Sequence, residues 1–248
     1  MLNTLPRLTM RPGVYCPDWS VVQSPVVKDA LLAMFEPEHI LSRWSGYAPT
    51  EDRVRTTVLR LYAEHGRAPT VAALATATRL TLDEVRLQLA RLEQRDLIIL
   101  SQDGDRILGA YPFTDRLTGH RVTVTDRVVN AMCAVDALGV AAMLGRDTQV
   151  DSRCLHSGAA IRMSTRDHGW ALATVSPETT VVWLALGCDE RPAASSLCTR
   201  TAFFRTDADL DAWRTETPCA DQRGVRLSPS EALEAGRAVF EPSLRESK

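Results

Sequence analysis

Residues 128–144 read VVNAMCAVDALGVAAML, a stretch without proline in which Asn130 and Asp136 are the strongly polar side chains. A run so apolar predicts a helix, Val128 to Leu144, that is buried all round. It falls short of the ~20 residues a membrane crossing needs and carries an acid, so its burial has to come from protein. The segments around it alternate as strands do: His120 to Val124, Trp170 to Val175, Thr179 to Leu186 and Ala202-Phe203-Phe204. Ala208 to Trp213 reads as a short helix. Ser228 to Phe240 reads as a C-terminal one, started by Ser228-Pro229 with Glu231 at its third position. Grouped strands against a buried helix predict an α+β fold with a mixed or antiparallel sheet over residues 111–248.

Upstream the texture differs. Residues 1–49 hold Pro6, Pro12, Pro17, Pro25, Pro37 and Pro49, which reads as a proline-rich arm with one short helix, Val26 to Met34. From Thr50 the pattern turns helical, with Val54, Val58, Leu61 and Tyr62 on one face and Glu64-His65-Gly66 as the stop. Thr70 and Thr81 cap two more helices, carrying Val71 and Leu74 and then Val85, Leu89 and Leu92. Leu97 to Leu100, a turn at Gln102 to Asp105 and Ile107 to Tyr111 complete a hairpin. Three helices and a hairpin over residues 50–110 follow the order of a winged helix. Between Glu51 and Ala110, however, nine arginines meet nine acidic residues, and the third helix sets Asp83, Glu84 and Glu93 against Arg86 and Arg91. That surface lacks the basic excess that phosphate contacts require, so the module reads as a scaffold without a nucleic-acid partner.

The whole chain agrees. Its 248 residues carry a net charge of -2, 45% hydrophobic and 24% charged residues, which excludes fibrous and largely disordered classes. No secretory leader is legible in the first residues, so a cytoplasmic location is the expectation, with no membrane partner. The six cysteines, at 16, 133, 154, 188, 198 and 219, form no CxxC pattern and are expected as free thiols.

Cys133 and Asp136 are three residues apart in otherwise apolar sequence, which on a helix places a thiol and a carboxylate on one face. A carboxylate in a buried helix must be paired or protonated, because a bare charge in a low-dielectric interior is costly. Cys198 stands in a polar stretch just before an aromatic strand. Cys154 and His156 form a Cys-x-His pair, two ligands short of a structural metal site.

These residues, taken in order, resemble the organomercurial lyase (alkylmercury lyase) family. The resemblance rests on Ala131-Met132-Cys133-Ala134-Val135-Asp136-Ala137-Leu138-Gly139, then Ser152-Arg153-Cys154 with Gly158 nearby. It continues through Leu197-Cys198-Thr199-Arg200-Thr201-Ala202-Phe203-Phe204 and Leu227-Ser228-Pro229-Ser230-Glu231-Ala232, and covers about residues 50–240. It implies cleavage of carbon–mercury bonds by protonolysis to a hydrocarbon and Hg(II), without a cofactor. Cys133 would be the first nucleophile, Cys198 the second mercury ligand and Asp136 the proton shuttle, all three close to the metal, with Cys154 structural. An organomercurial is the implied substrate, small cytosolic thiols or a mercuric reductase the implied acceptors, and a homodimer is compatible. Thr199-Arg200-Thr201 depart from the further cysteine and histidines of familiar members, which points to a different release step. The long arm is expected to cover the pocket or to mediate dimerisation. Two other readings stay open on sequence: a lyase-like homologue acting on another substrate in a biosynthetic or detoxification pathway, and a winged-helix regulator sensing a soft metal.

Overall fold

Ser24, Thr70, Thr81, Thr206 and Ser228 each accept a hydrogen bond from the backbone N–H three residues on, and each begins a helix in the computed structural model of the chain. Residues 18–35, 43, 46, 48–186, 192–217 and 223–244 are described. Cys16, Cys188, Cys219 and most of the proline-rich arm lie outside them.

Four helices come first: α1 (Pro25–Met34), α2 (Pro49–His65), α3 (Val71–Thr78) and α4 (Leu82–Gln94). The second starts one residue earlier than its sequence suggests. Pro49 takes the first helical position, and the Glu51 carboxylate turns back to accept the Ala48 N–H at 2.8 Å. Thr50 is therefore inside the helix.

The chain then lays down β1 (Ile98–Leu100), β2 (Ile107–Ala110), β3 (Phe113–Thr114), β4 (Arg121–Val124), β5 (Arg127–Ala131), β6 (Thr148–Arg153), β7 (Ala160–Arg166) and β8 (Ala171–Ser176). They form one antiparallel sheet in the order β1-β2-β3-β5-β4-β6-β7-β8. The hairpin that follows the first helices is thus the start of a sheet that continues as far as Ser176. A second sheet holds β9 (Val181–Ala185) between β10 (Ala202–Phe204) and β11 (Gly224–Leu227), again antiparallel. The α+β class and the antiparallel sheet match the expectation. Along β6 and β7 every second residue is buried, Thr148, Val150 and Ser152, then Ile161, Met163 and Thr165, so one face of the large sheet is covered.

What covers it is α5 (Ala134–Leu144), whose residues Ala134 to Met143 are all buried and which packs on β4, β5 and β6. This corrects the reading of 128–144 as a single helix. Val128 and Val129 belong to β5, paired with Thr123 and Val122 of β4, because β-branched residues next to a tight Thr125-Asp126 turn favour the ladder. The Met132 N–H is then held by the Pro112 carbonyl at 3.0 Å, and the helix starts only after Cys133.

Beside the sheet, α5 packs along α8 (Pro229–Phe240). The two backbones approach at Gly139 and Gly236. A Cβ on Gly236 would lie 2.8 Å from Gly139 N and from the Val135 carbonyl, and one on Gly139 would lie 2.9 Å from the Gly236 carbonyl and 2.3 Å from the Phe240 ring. Completing the order are α6 (Ala193–Ser196) and α7 (Asp207–Glu216). No helix among the described residues is long and apolar enough to cross a membrane.

Forcing a methyl group into this crossing should strain it. Gly139→Ala and Gly236→Ala are each expected to lower stability by about 1–3 kcal/mol, and the double variant by less than the sum, since one separation of the helices relieves both clashes. Denaturant titration of the three variants measures this, and full additivity would mean that the two glycines do not share a contact.

Candidate active site

Cys133 occupies the residue before the first turn of α5, with extended backbone (φ -150°, ψ -179°). Its sulfur accepts the Asp136 N–H at 3.4 Å, the place that Ser or Thr takes at most helix starts. The thiol therefore caps the helix from outside instead of riding on its face, a second correction to the sequence reading. Asp136 sits at the third position of the helix, where the N-terminal dipole favours a carboxylate.

Cys198 arrives from the other sheet. It follows the single turn of α6, and its N–H is held by the Ala193 carbonyl at 2.9 Å. Its thiol donates to Asp136 Oδ2 at 3.6 Å. Three residues later the chain is tied directly to the other cysteine's segment: the Thr201 carbonyl accepts the N–H of Ala134, the first residue of α5, at 3.2 Å. The buried Thr201 hydroxyl also accepts the Ala185 N–H at 3.1 Å, anchoring the loop to β9 before it enters β10. These bonds converge on one result: the two sulfurs and a carboxylate oxygen of Asp136 all lie within 4.8 Å of one another.

Little of the cluster reaches solvent. Cys133 and Asp136 are buried and Cys198 is partly so. Loss of water raises the Asp136 carboxyl to about pKa 7, against hydrogen bonds from the Cys133 and Cys198 thiols that pull it down. Burial also pushes the Cys133 thiol up, with the hydrogen bond from Cys198 working the other way. Cys198 is driven well above an ordinary thiol, first by its hydrogen bond to Cys133, then by burial and the Asp136 charge. Without a ligand, the cluster keeps both thiols protonated around a carboxyl that titrates near neutrality. Two sulfurs and one oxygen suit a soft cation, and such a cation binds by replacing the thiol protons.

The trio singled out in sequence is thus brought together. Cys154 is not part of it. That buried sulfur accepts the Ser157 N–H at 3.4 Å inside a turn, and the His156 ring faces Asp209 and Glu216 at 3.4 and 3.2 Å. The Cys-x-His pair therefore shares no ligand. Sequence reasoning noted Thr201 only as part of a departure from the family pattern, and passed over Asp96 and Tyr111, which reach the start of α6. The one local signal was an aspartate just past the C-cap Arg95 of the Leu82–Gln94 helix, where glycine is usual.

Comparison with known proteins places the site in a context. A family model described as alkylmercury lyase matches residues 113–241, just over half of the chain. The chain is 28% identical to an alkylmercury lyase of Bacillus cereus over 175 residues, 70% of this chain and 75% of the relative. To an alkylmercury lyase of Streptomyces lividans it is 29% identical over 187 residues, 75% and 81% of the two chains. The crystal structure of the mercury-bound form of MerB2 superposes with a TM-score of 0.64 at 23% identity, covering 78% of this chain and 98% of that one, a likeness of fold.

The raised Asp136 value carries a stability signature. The folded state keeps a proton that the unfolded chain releases above about pH 4. The resulting stabilisation is complete below that pH and is lost as pH climbs to about 7. Asp136→Asn, which mimics the protonated acid, should flatten the stability profile between those limits. Thermal midpoints measured across the range check it, and an unchanged slope in the variant would contradict the burial argument.

Proposed function

Given that the chain belongs to the alkylmercury lyase family, we propose that it cleaves carbon–mercury bonds through Cys133, Cys198 and Asp136. The observation that carries the reading is the meeting of two thiols, remote in sequence, around one buried carboxyl.

The chemistry follows from the exchange of protons for metal. An organomercurial R–Hg–X, with X a small thiolate, transfers to Cys133: the Cys133 thiol proton leaves with X, and a sulfur–mercury bond replaces the old one. Cys133 is suited to this step because its sulfur is fixed as the cap of α5. Asp136, as carboxylate, then takes the proton of the Cys198 thiol, to which it is already hydrogen-bonded. The Cys198 thiolate adds to mercury and weakens the bond to carbon. The protonated Asp136 returns its proton to that carbon, the carbon–mercury electron pair becomes the new C–H bond, and R–H departs. The net change is R–Hg–S plus H–S giving R–H plus S–Hg–S, with Asp136 restored.

A carboxyl near pKa 7 is well matched to accept and give back one proton at neutral pH. The apolar burial of the site keeps bulk water from competing for the metal or the proton. Hg(II) is then held by two sulfurs beside a carboxylate. Thr199 and Arg200, which bond the Ser195 and Ser196 carbonyls, add no further thiol. Release to small thiols, or to a mercuric reductase, therefore proceeds from this two-sulfur state.

The test is to incubate the protein with a phenylmercury salt and excess thiol and to follow benzene. Turnover is expected for the unaltered chain. Cys133→Ala, Cys198→Ala and Asp136→Asn should each lose at least about 100-fold in kcat/KM while remaining folded. The kcat/KM of the unaltered chain should rise as pH increases through about 7, where Asp136 becomes able to accept the Cys198 proton. A folded protein that forms no benzene would overturn the proposal.

A further inference from the structure

The helix that delivers Cys198 is only four residues long, and Pro192 at its start offers no side-chain cap. Its first two N–H groups are taken by side chains from elsewhere in the chain. The Ala193 N–H donates to Asp96 Oδ2 at 2.8 Å, and the Ala194 N–H donates to the Tyr111 hydroxyl at 2.7 Å. The Tyr111 hydroxyl donates in turn to Asp96 Oδ1 at 3.1 Å, closing the group on itself. Ala193 is the link to the site: with its N–H on Asp96, its carbonyl accepts both the Leu197 N–H at 2.8 Å and the Cys198 N–H at 2.9 Å.

Asp96 itself is in an unusual place. It follows α4 with a φ of 57°, in the left-handed region that glycine enters without a Cβ clash, and its side chain is buried. Its N–H and that of Leu97 close the helix end on the Glu93 and Leu92 carbonyls at 2.8 and 3.0 Å, a turn that needs nothing from the side chain. The carboxylate is thus not required where it is attached: one oxygen holds the Cys198 arm through Ala193, and the other accepts from the Tyr111 hydroxyl, which itself holds Ala194. Tyr111 is kept protonated by burial and by the nearby Asp96 charge, so its hydroxyl stays a donor to Asp96.

We propose that Asp96 and Tyr111 are positioning residues that lock α6 and thereby hold the Cys198 sulfur in register with Asp136 and Cys133. The inference rests on the proposed mercury chemistry for its functional consequence, but the clamp is a property of the fold. Cys133 is fixed chiefly by α5 and by the bond from Met132 to Pro112, neither of which runs through the Asp96 carboxylate or the Tyr111 hydroxyl. Releasing the clamp therefore leaves the first capture of an organomercurial intact and impairs the closing of the second sulfur and the proton transfer.

Two variants separate this from a general structural role. Asp96→Gly removes the carboxylate while suiting the left-handed turn, and Tyr111→Phe keeps the ring and removes the hydroxyl. Both are expected to melt cooperatively and to take up one equivalent of phenylmercury on Cys133 as the unaltered protein does. Single-turnover benzene release should fall about 10- to 100-fold, as for a misplaced reacting group. Hg(II) should also be lost more readily to competing glutathione. Asp96→Asn, with one acceptor oxygen, should fall between.

A readout without mercury accompanies these: the rate of iodoacetamide labelling of Cys198 relative to Cys133, followed by mass spectrometry, should change several-fold in both variants. If the unaltered protein releases no benzene yet the labelling ratio shifts, the clamp stands and the mercury reading falls. If benzene release and the labelling ratio match the unaltered protein in folded Tyr111→Phe, the clamp proposal is overturned, whatever the fate of Asp96→Gly.

Discussion

A carboxyl group buried between two thiols is the constraint around which this molecule is arranged. An isolated ionised aspartate in an apolar interior is costly, and Asp136 is tolerated there because three partners share the load: the helix N-terminus that carries it and a thiol on either side. The balance leaves it titrating near neutrality instead of being locked charged or neutral. Cys133 is kept protonated by burial and by the carboxylate, against the hydrogen bond from Cys198, and Cys198 by its hydrogen bond to Cys133, by burial and by the carboxylate.

The rest of the fold can be read as support for that cluster. Burying α5 on all sides requires a sheet beneath it and a helix beside it, and the close crossing at Gly139 and Gly236 lets α8 approach to backbone distance. The second sheet brings in Cys198, with Thr201 bonding both α5 and β9 so that the two halves of the site are joined by backbone. The helical module ahead of the large sheet contributes through Asp96 at the end of α4, which reaches α6 directly. A segment that carries no reacting group thus bears on where one of them sits.

Much of this was legible in the residues. Helix starts at Ser24, Thr70, Thr81 and Ser228 follow from side chains that act on N–H groups three positions away, a local effect that needs no tertiary knowledge. The oddity of Asp136 was also plain, since no purely apolar helix needs an acid in its first turns. The strand Arg127–Ala131 was less visible: its apolar residues run straight into those of α5, and periodicity cannot divide a continuous apolar run into a buried strand and a buried helix. β6 and β7 were missed because half of their inward positions are themselves polar, Thr148, Ser152 and Thr165, which blurs the apolar alternation that marks a strand.

By itself, then, the amino-acid sequence determined the α+β class, a buried apolar helix and the oddity of Cys133 and Asp136, because composition, capping and the cost of a buried charge all act over a few positions; Cys198 was marked by the family resemblance of its stretch. That Cys133 is a cap preceding the helix, that Cys198 comes to rest within reach of Asp136 from 62 residues away, and that Asp96 and Tyr111 hold its short helix were decided only by the tertiary structure. The reason is physical: hydrogen bonds between segments distant in the chain depend on how sheets and helices stack, and no local pattern of residues encodes that stacking.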